Sequence, residues 1–147
     1  MTSSRWASAA GCRSQIEMMR IRIRLKGGGM QIDTNAVRKV GELEWQPHPT
    51  AEGVEIKVLV SRAGHDTDVT CMLVRIGRGM EVSEHIHDHS DDILYPLAGQ
   101  ARMWVEGSGE FSLEPGVIVR VPRGTRHCIF DVTEDLLLHD VFWPALL

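Results

Sequence analysis

The sequence has no long apolar stretch, although apolar residues make up 43% of its 147 residues. No apolar run approaches the roughly 18 residues that a membrane span requires. The N-terminus also lacks the apolar stretch of roughly 7–15 residues that marks a secretory signal. These absences argue against a membrane partner and predict a soluble, cytoplasmic protein.

Cysteine is scarce, since the chain contains only Cys12, Cys71 and Cys128. The three are far apart and form none of the Cys-x-x-Cys pairs of zinc ribbons or redox sites. The spacing therefore excludes a disulfide scaffold, and we expect reduced thiols in an intracellular protein.

Basic residues are few in the body of the chain. Of sixteen Lys and Arg and twenty Asp and Glu, six basic residues and one acidic residue lie within residues 1–29. Residues 30–147 therefore hold ten basic and nineteen acidic side chains, a net charge of −9 with histidine neutral. Nucleic-acid binding needs clustered Lys and Arg, so this charge argues against a nucleic-acid partner.

Residues 1–29 differ in composition from the rest and end in three glycines before Met30. Arg- and Ser-rich, acid-poor segments occur in organelle transit peptides. Alternatively, Lys26-Gly27-Gly28 is the translation of a ribosome-binding sequence and Met30 is the natural start, or the segment is a basic tail with a glycine hinge. The alternation over residues 20–25 would suit a strand that pairs with a sheet edge. We predict a short N-terminal extension, residues 1–29, followed by one domain, residues 30–147.

Short strands are the main prediction for the domain. β-branched or alternating runs separated by glycines are typical of an all-β sandwich or barrel. Only residues 34–40 suggest a short helix. The predicted strands are Val54–Val60, Val69–Ile76, Ile93–Ala98, Ala101–Glu106, Glu110–Leu113, Val117–Val121, His127–Asp131 and Leu136–Phe142.

Three of the seven histidines lie at positions 85, 87 and 89. On a strand, residues two apart share a face, so the imidazoles of His85 and His87 can bind one ion. His89 falls where the strand should turn, which favours an exposed or supporting role. Imidazole with carboxylate suits a divalent transition metal, namely Mn, Fe, Ni, Zn or Cu, rather than Ca or Mg. A solvated His-rich loop is the alternative interpretation of this cluster.

The spacing around these histidines resembles the two motifs of the cupin superfamily. In the first motif, G(X)5HXH(X)3,4E(X)6G, the fixed positions hold Gly79, His85, His87, Asp92 and Gly99. In the second motif, G(X)5PXG(X)2H(X)3N, they hold Gly116, Pro122, Gly124, His127 and Asp131. The four glycines can adopt positive φ at turns between strands. The resemblance is to small single-domain cupins with one conserved barrel, and it covers about residues 54–142.

The resemblance implies a jelly-roll barrel, also called a double-stranded β-helix, with one metal ion bound inside by His85, His87, Asp92 and His127. Aspartate replaces the usual glutamate at position 92 and the usual asparagine at position 131. Because aspartate is one methylene shorter, Asp92 binds the metal more loosely, binds it through water, or yields to Asp91.

Two functions remain open at this point. A metal with open positions can polarise a carbonyl or activate dioxygen, which predicts an isomerase, lyase or dioxygenase acting on a small oxygen-rich molecule such as a sugar acid. The alternative is a binding or storage module that holds a small molecule without turnover. Tyr95, Arg102 and Trp104 follow Asp92 on the predicted strands and would form the substrate pocket, unless they only pack.

Small cupins also resemble one another in pairing through sheet edges, and we therefore expect a homodimer. The predicted edge is formed by Val54–Val60 and Val69–Ile76, where unpaired backbone groups would attract a second copy.

Overall fold

Eight β-strands form most of the regular structure in the computed structural model, which describes residues 32–147. Residues 1–29, including the strand predicted over residues 20–25, lie outside the described residues. The strands are β1 (Gln46–Pro47), β2 (Val54–Val60), β3 (Thr70–Ile76), β4 (Val82–His85), β5 (Asp91–Val105), β6 (Gly109–Leu113), β7 (Val119–Val121) and β8 (His127–Trp143). The two helical segments are a 3₁₀ turn at Val40–Glu42 and α1 at Arg62–His65.

The strands are antiparallel and hydrogen-bonded in the order β1-β2-β3-β8-β5-β6, with β4 added to β8 and β7 added to β5. The second half of β8 pairs with β3 and with the first half of β5. Its first half pairs with β4 and with the second half of β5. Two long strands thus pass through both halves of the sheet. The all-β double-stranded β-helix predicted from the sequence is confirmed.

The sequence predicted two strands where β5 has one, because Gly99 separates the two predicted runs. The structure keeps the strand continuous and shifts its register against β8 between Pro96 and Ala98 and again beyond Ala98. Gly99 has a φ of 87°, and a Cβ there would lie 2.2 Å from the carbonyl oxygen of Asp135. The glycine therefore permits a bend in the strand and close approach of β8, without ending the strand.

Asp131 marks the equivalent bend in β8, which the sequence also predicted as two strands. Its φ is 49°, in the left-handed region that asparagine and aspartate adopt more readily than other side chains. This backbone conformation explains why a short polar residue occupies the last position of the second motif. Asp131 is exposed, so its part is to shape the strand.

The apolar core lies inside the folded sheet. Alternate residues of each strand point inward, as strand geometry requires, and Ile76, Met103, Leu113 and Leu136 are completely buried. The inward side chains near one end of the barrel are different, since several are polar or charged there. Buried imidazoles and carboxylates need partners or a ligand, so this end is where a site is expected.

Two details differ from the sequence predictions. The predicted helix at residues 34–40 is absent, and the only helical structure there is the 3₁₀ turn at Val40–Glu42, which has no side-chain cap at Lys39. Strand β3 lies between β2 and β8, so it offers no free edge for a second copy, and β2 is partly covered by β1. Within residues 32–147, no helix is long and apolar enough to cross a membrane.

Candidate metal centre

Three imidazoles converge at one end of the barrel. His85 and His127 lie directly opposite each other where β4 pairs with β8. His87 follows β4 by two residues, and its ring contacts the edge of Phe142 at a centroid distance of 5.1 Å. One nitrogen from each of the three histidines lies within 4.8 Å of the others. A cluster with this spacing can hold a metal ion.

Backbone carbonyls fix the orientation of two of these rings. The Nδ1–H of His85 donates to the carbonyl of Ser83 at 2.8 Å, and the Nδ1–H of His127 donates to the carbonyl of Thr125 at 3.0 Å. With the proton on Nδ1, each Nε2 presents its lone pair to the cluster. The Nε2 of His127 is buried and has no hydrogen-bond partner among the described residues. A backbone acceptor behind each imidazole is the usual arrangement around a bound metal.

Burial keeps the three imidazoles neutral. It lowers the pKa of His85, and with the adjacent histidines it lowers the pKa of His87 to about 3. Burial and then the proximity of His85 lower the pKa of His127 to about 4. Neutral imidazole is the form that binds a metal, so little proton competition is expected near neutral pH.

Asp92, and not Asp91, has its side chain at the histidine cluster. Its Oδ2 lies 3.9 Å from the Nε2 of His87 and 3.7 Å from the Nε2 of His127. Its Oδ1 is buried without a hydrogen-bond partner among the described residues. A buried carboxylate with free oxygens beside imidazole lone pairs fits a cation between them.

The neighbouring Asp91 points the other way, as alternation along β5 requires. Its carboxylate accepts hydrogen bonds from Arg120 and Arg123. The Arg120 hydrogen bond, followed by those from Arg123, lowers the pKa of Asp91 to about 2. The structure thus favours Asp92 over Asp91 as the acid of the site.

A second buried carboxyl, Asp140, lines the same cavity. It lies on β8 between Leu138 and Phe142 on the inward face, opposite Leu94 of β5. Burial raises the pKa of Asp140 to about 8, and burial reinforced by Asp140 raises the pKa of Asp92 well above its ordinary value. The sequence analysis did not single out Asp140. The sequence did contain a signal for it, because Asp140 is a charged residue at an inward position of a strand whose neighbouring inward positions, Leu138 and Phe142, are apolar.

The cavity is small, with a volume of about 50 Å³. Apolar side chains of β2, β3 and β8 form most of its wall, and the polar part comes from the three histidines, the two aspartates and His48. His48, which follows β1, was also missed from the sequence, because it stands alone outside both motifs.

Tyr95, Arg102 and Trp104 do not line this cavity. They occupy the outward positions of β5, where Tyr95 is exposed and the guanidinium of Arg102 pairs with Glu110 at 3.0 Å. The structure thus places these three side chains away from the histidine cavity, on the opposite face of β5. The two halves of β5 were predicted without their register, so the inward face could not be identified.

Comparison with known families agrees with the fold. The model of the cupin domain matches residues 72–142 of this chain. That match, the double-stranded β-helix and the histidine cluster together identify the chain as a small protein of the cupin family.

Three individual proteins show how similar this chain is to known relatives. KdgF from Halomonas sp. is 28% identical, with 71% of this chain and 90% of that one covered and a TM-score of 0.61. A predicted oxalate decarboxylase from Thermotoga maritima is 20% identical, with 74% and 98% covered and a TM-score of 0.65, which shows a shared fold. Quercetin 2,3-dioxygenase of Bacillus subtilis (strain 168) is 36% identical over 50 residues, which are 34% of this chain. The match spans only 14% of that dioxygenase.

Proposed function

We propose that the protein is a metal-dependent enzyme in which His85, His87, Asp92 and His127 bind one divalent transition metal. The observation that carries the proposal is that a buried carboxyl and three imidazoles lie together and have buried atoms without a hydrogen-bond partner within residues 32–147. The Nε2 of His127 and the Oδ1 of Asp92 have no protein partner among the described residues, and a cation would satisfy both. Neutral imidazoles with a carboxylate suit Mn, Fe, Ni, Zn or Cu.

When bound, the metal supplies a Lewis acid that polarises an oxygen of the substrate. The chain itself supplies a candidate for proton transfer, because Asp140 shares the cavity with the proposed ligands. A carboxyl group with a pKa of about 8 can carry a proton at neutral pH and can release it. Apolar side chains form most of the cavity wall around it.

An isomerase or lyase acting on a small oxygen-rich molecule, such as a sugar acid, is the reaction class that this arrangement supports best. Such reactions move a proton next to a carbonyl, which is the task that Asp140 suits. A dioxygenase is the second candidate, and the local similarity to quercetin 2,3-dioxygenase favours it. A binding or storage module needs no proton-transfer group, so Asp140 counts against that alternative.

Elemental analysis of protein purified without chelator or nickel column tests the metal centre. His85→Ala and His127→Ala should each lose the metal, whereas His139→Ala should keep it. His139 is a matched control, because it lies on the same strand as His127 but points outward. Full metal content in either cluster variant would refute the ligand assignment.

Turnover can be followed without knowledge of the natural substrate. Metal-loaded protein is incubated with a panel of sugar acids in D₂O, and exchange of carbon-bound protons is measured by NMR. We expect exchange that Asp140→Asn abolishes without loss of metal. Oxygen consumption without exchange would favour the dioxygenase, and neither signal would favour the binding module.

We also propose a homodimer, formed through a sheet face and not through an edge. The outward positions of β3, β5 and β8 are unusually apolar for a face of an antiparallel sheet. Tyr95, Leu97 and Trp143 are 44%, 46% and 54% exposed there. The other apolar members of this outer face are Cys71, Leu73, Ile93, Leu137 and Val141. Covering it with a second copy would remove these side chains from water.

A further inference from the structure

His48 is a lining residue of the cavity and is held firmly by its own turn. Its backbone N–H donates to the carbonyl of Val54 at 2.8 Å, which ties it to the start of β2. Its ring Nδ1 accepts the backbone N–H groups of Thr50 at 3.2 Å and Ala51 at 3.1 Å. The turn over residues 48–51 therefore closes on the imidazole and fixes the ring.

These contacts determine the tautomer of the ring. Two backbone N–H groups point at Nδ1, so Nδ1 must present its lone pair and cannot carry a proton. The proton of the neutral imidazole is then on Nε2. The tautomer of His48 is therefore opposite to that of His85 and His127, whose Nδ1–H groups donate to backbone carbonyls.

The Nε2–H of His48 has no hydrogen-bond partner within residues 32–147, and the ring lines the same cavity as the histidine cluster. A donor with a fixed tautomer is thus available in the cavity that also holds the imidazoles with free lone pairs. The cavity lining described here contains no Lys or Arg. A divalent metal bound by three neutral imidazoles and one carboxylate would leave a charge of +1, which a single negative charge balances.

We infer that His48 is a substrate-positioning residue, whose Nε2–H donates to an oxygen of a small ligand carrying at most one negative charge. The inference rests on the proposed metal site, because the ligand would be placed between His48 and the metal. It deepens the proposed function by excluding phosphorylated and nucleotide-linked substrates.

A merely structural role for His48 would be to close its own turn through Nδ1. Two substitutions separate the roles. His48→Asn keeps an acceptor near the position of Nδ1 and removes the donor at Nε2. His48→Gln keeps a donor near the position of Nε2 and loses the acceptor that closes the turn.

The first measurement is the nitrogen NMR spectrum of the metal-free full chain, with the His48 signals assigned by their loss in His48→Asn. We expect the chemical shift of an unprotonated nitrogen for Nδ1 and of a protonated nitrogen for Nε2. The opposite tautomer would overturn the inference, and this test does not depend on the metal.

The second measurement is titration of Co²⁺-loaded protein with glycolate, followed through the visible spectrum of the metal. His48→Asn should bind glycolate about 3- to 10-fold more weakly, as expected for one neutral hydrogen bond, with a melting temperature within a few degrees of the original. His48→Gln should lose more stability and less affinity. Unchanged affinity in His48→Asn, or no saturable glycolate binding, would overturn the inference.

Ligand charge is tested by 2-phosphoglycolate, which should bind more weakly than glycolate. Tighter binding of the phosphorylated compound would refute the assigned ligand class. Failure of the proposed function is distinguishable, because the original protein would then take up no stoichiometric Co²⁺ before any glycolate is added.

Discussion

Asp140→Asn should make the metal-free protein more stable, and the gain should grow as pH rises. The side chain is completely enclosed, and burial raises its pKa from 3.8 to about 8. A group with a raised folded-state pKa binds more protons in the folded state than in the unfolded one. Its contribution to stability is therefore complete below about pH 4 and is lost as pH rises towards 8. Asparagine has nearly the same shape and does not ionise.

The magnitude follows from the same linkage. Each pH unit between the two pKa values removes at most about 1.4 kcal/mol. Between pH 5 and pH 8 the wild-type protein should therefore lose up to about 4 kcal/mol relative to Asp140→Asn. The opposite contributions of His87 and His127, whose pKa values are lowered, occur in both proteins and largely cancel in the difference.

Urea denaturation at pH 5 and pH 8, with chelator present, measures this difference. Asp91→Asn is the matched control, because Arg120 and Arg123 lower the pKa of Asp91 to about 2 and its effect should be constant over this range. If Asp140→Asn were no more stable at pH 8 than the original protein, or if its gain were equal at both pH values, Asp140 would not be a buried carboxyl that resists ionisation.

Three other predictions address the site and the assembly. Asp92→Ala should weaken metal affinity less than loss of a cluster histidine does, and Asp91→Ala should leave it nearly unchanged; a reversed order in calorimetric titration would move the acid ligand to Asp91. A chain comprising residues 30–147 should melt within a few degrees of the full chain, because a tail buries little surface, and aggregation on heating would show that residues 1–29 are structural. Light scattering should give twice the 16.4 kDa chain mass. The variant Leu97→Glu should be monomeric, whereas Val37→Glu, at an exposed position elsewhere, should still be dimeric. A monomeric original protein would refute the outer-face interface.

The sequence was sufficient for the fold and for the histidine cluster, because the glycines, the histidines and their spacing match the two motifs of the cupin superfamily. Glycines at turns and the period-two spacing of His85 and His87 can be recognised in the sequence without knowledge of the tertiary structure. Asp140 and His48 were not predicted as site residues, since both lie outside the two cupin motifs, although the apolar alternation around Asp140 is visible in the sequence. Tyr95 was expected in the substrate pocket but lies on the outward face of β5. The sequence alone did not give this orientation, because a one-residue shift in register reverses the orientation of every side chain on a strand. Pro96 obscured that register.

The central place of β8 has a consequence for biosynthesis. Strands β3, β4 and β5 all pair with β8, which follows them along the chain. During synthesis, the hairpins β2–β3 and β5–β6 can form as soon as their strands have been translated. The strands β3 and β4 lack their β8 partner until that strand has been made. His127 meets His85 only when β8 has emerged from the exit tunnel. Binding of a metal by the proposed ligands would therefore follow translation of this strand. Before that moment the nascent chain exposes apolar sheet faces that favour aggregation.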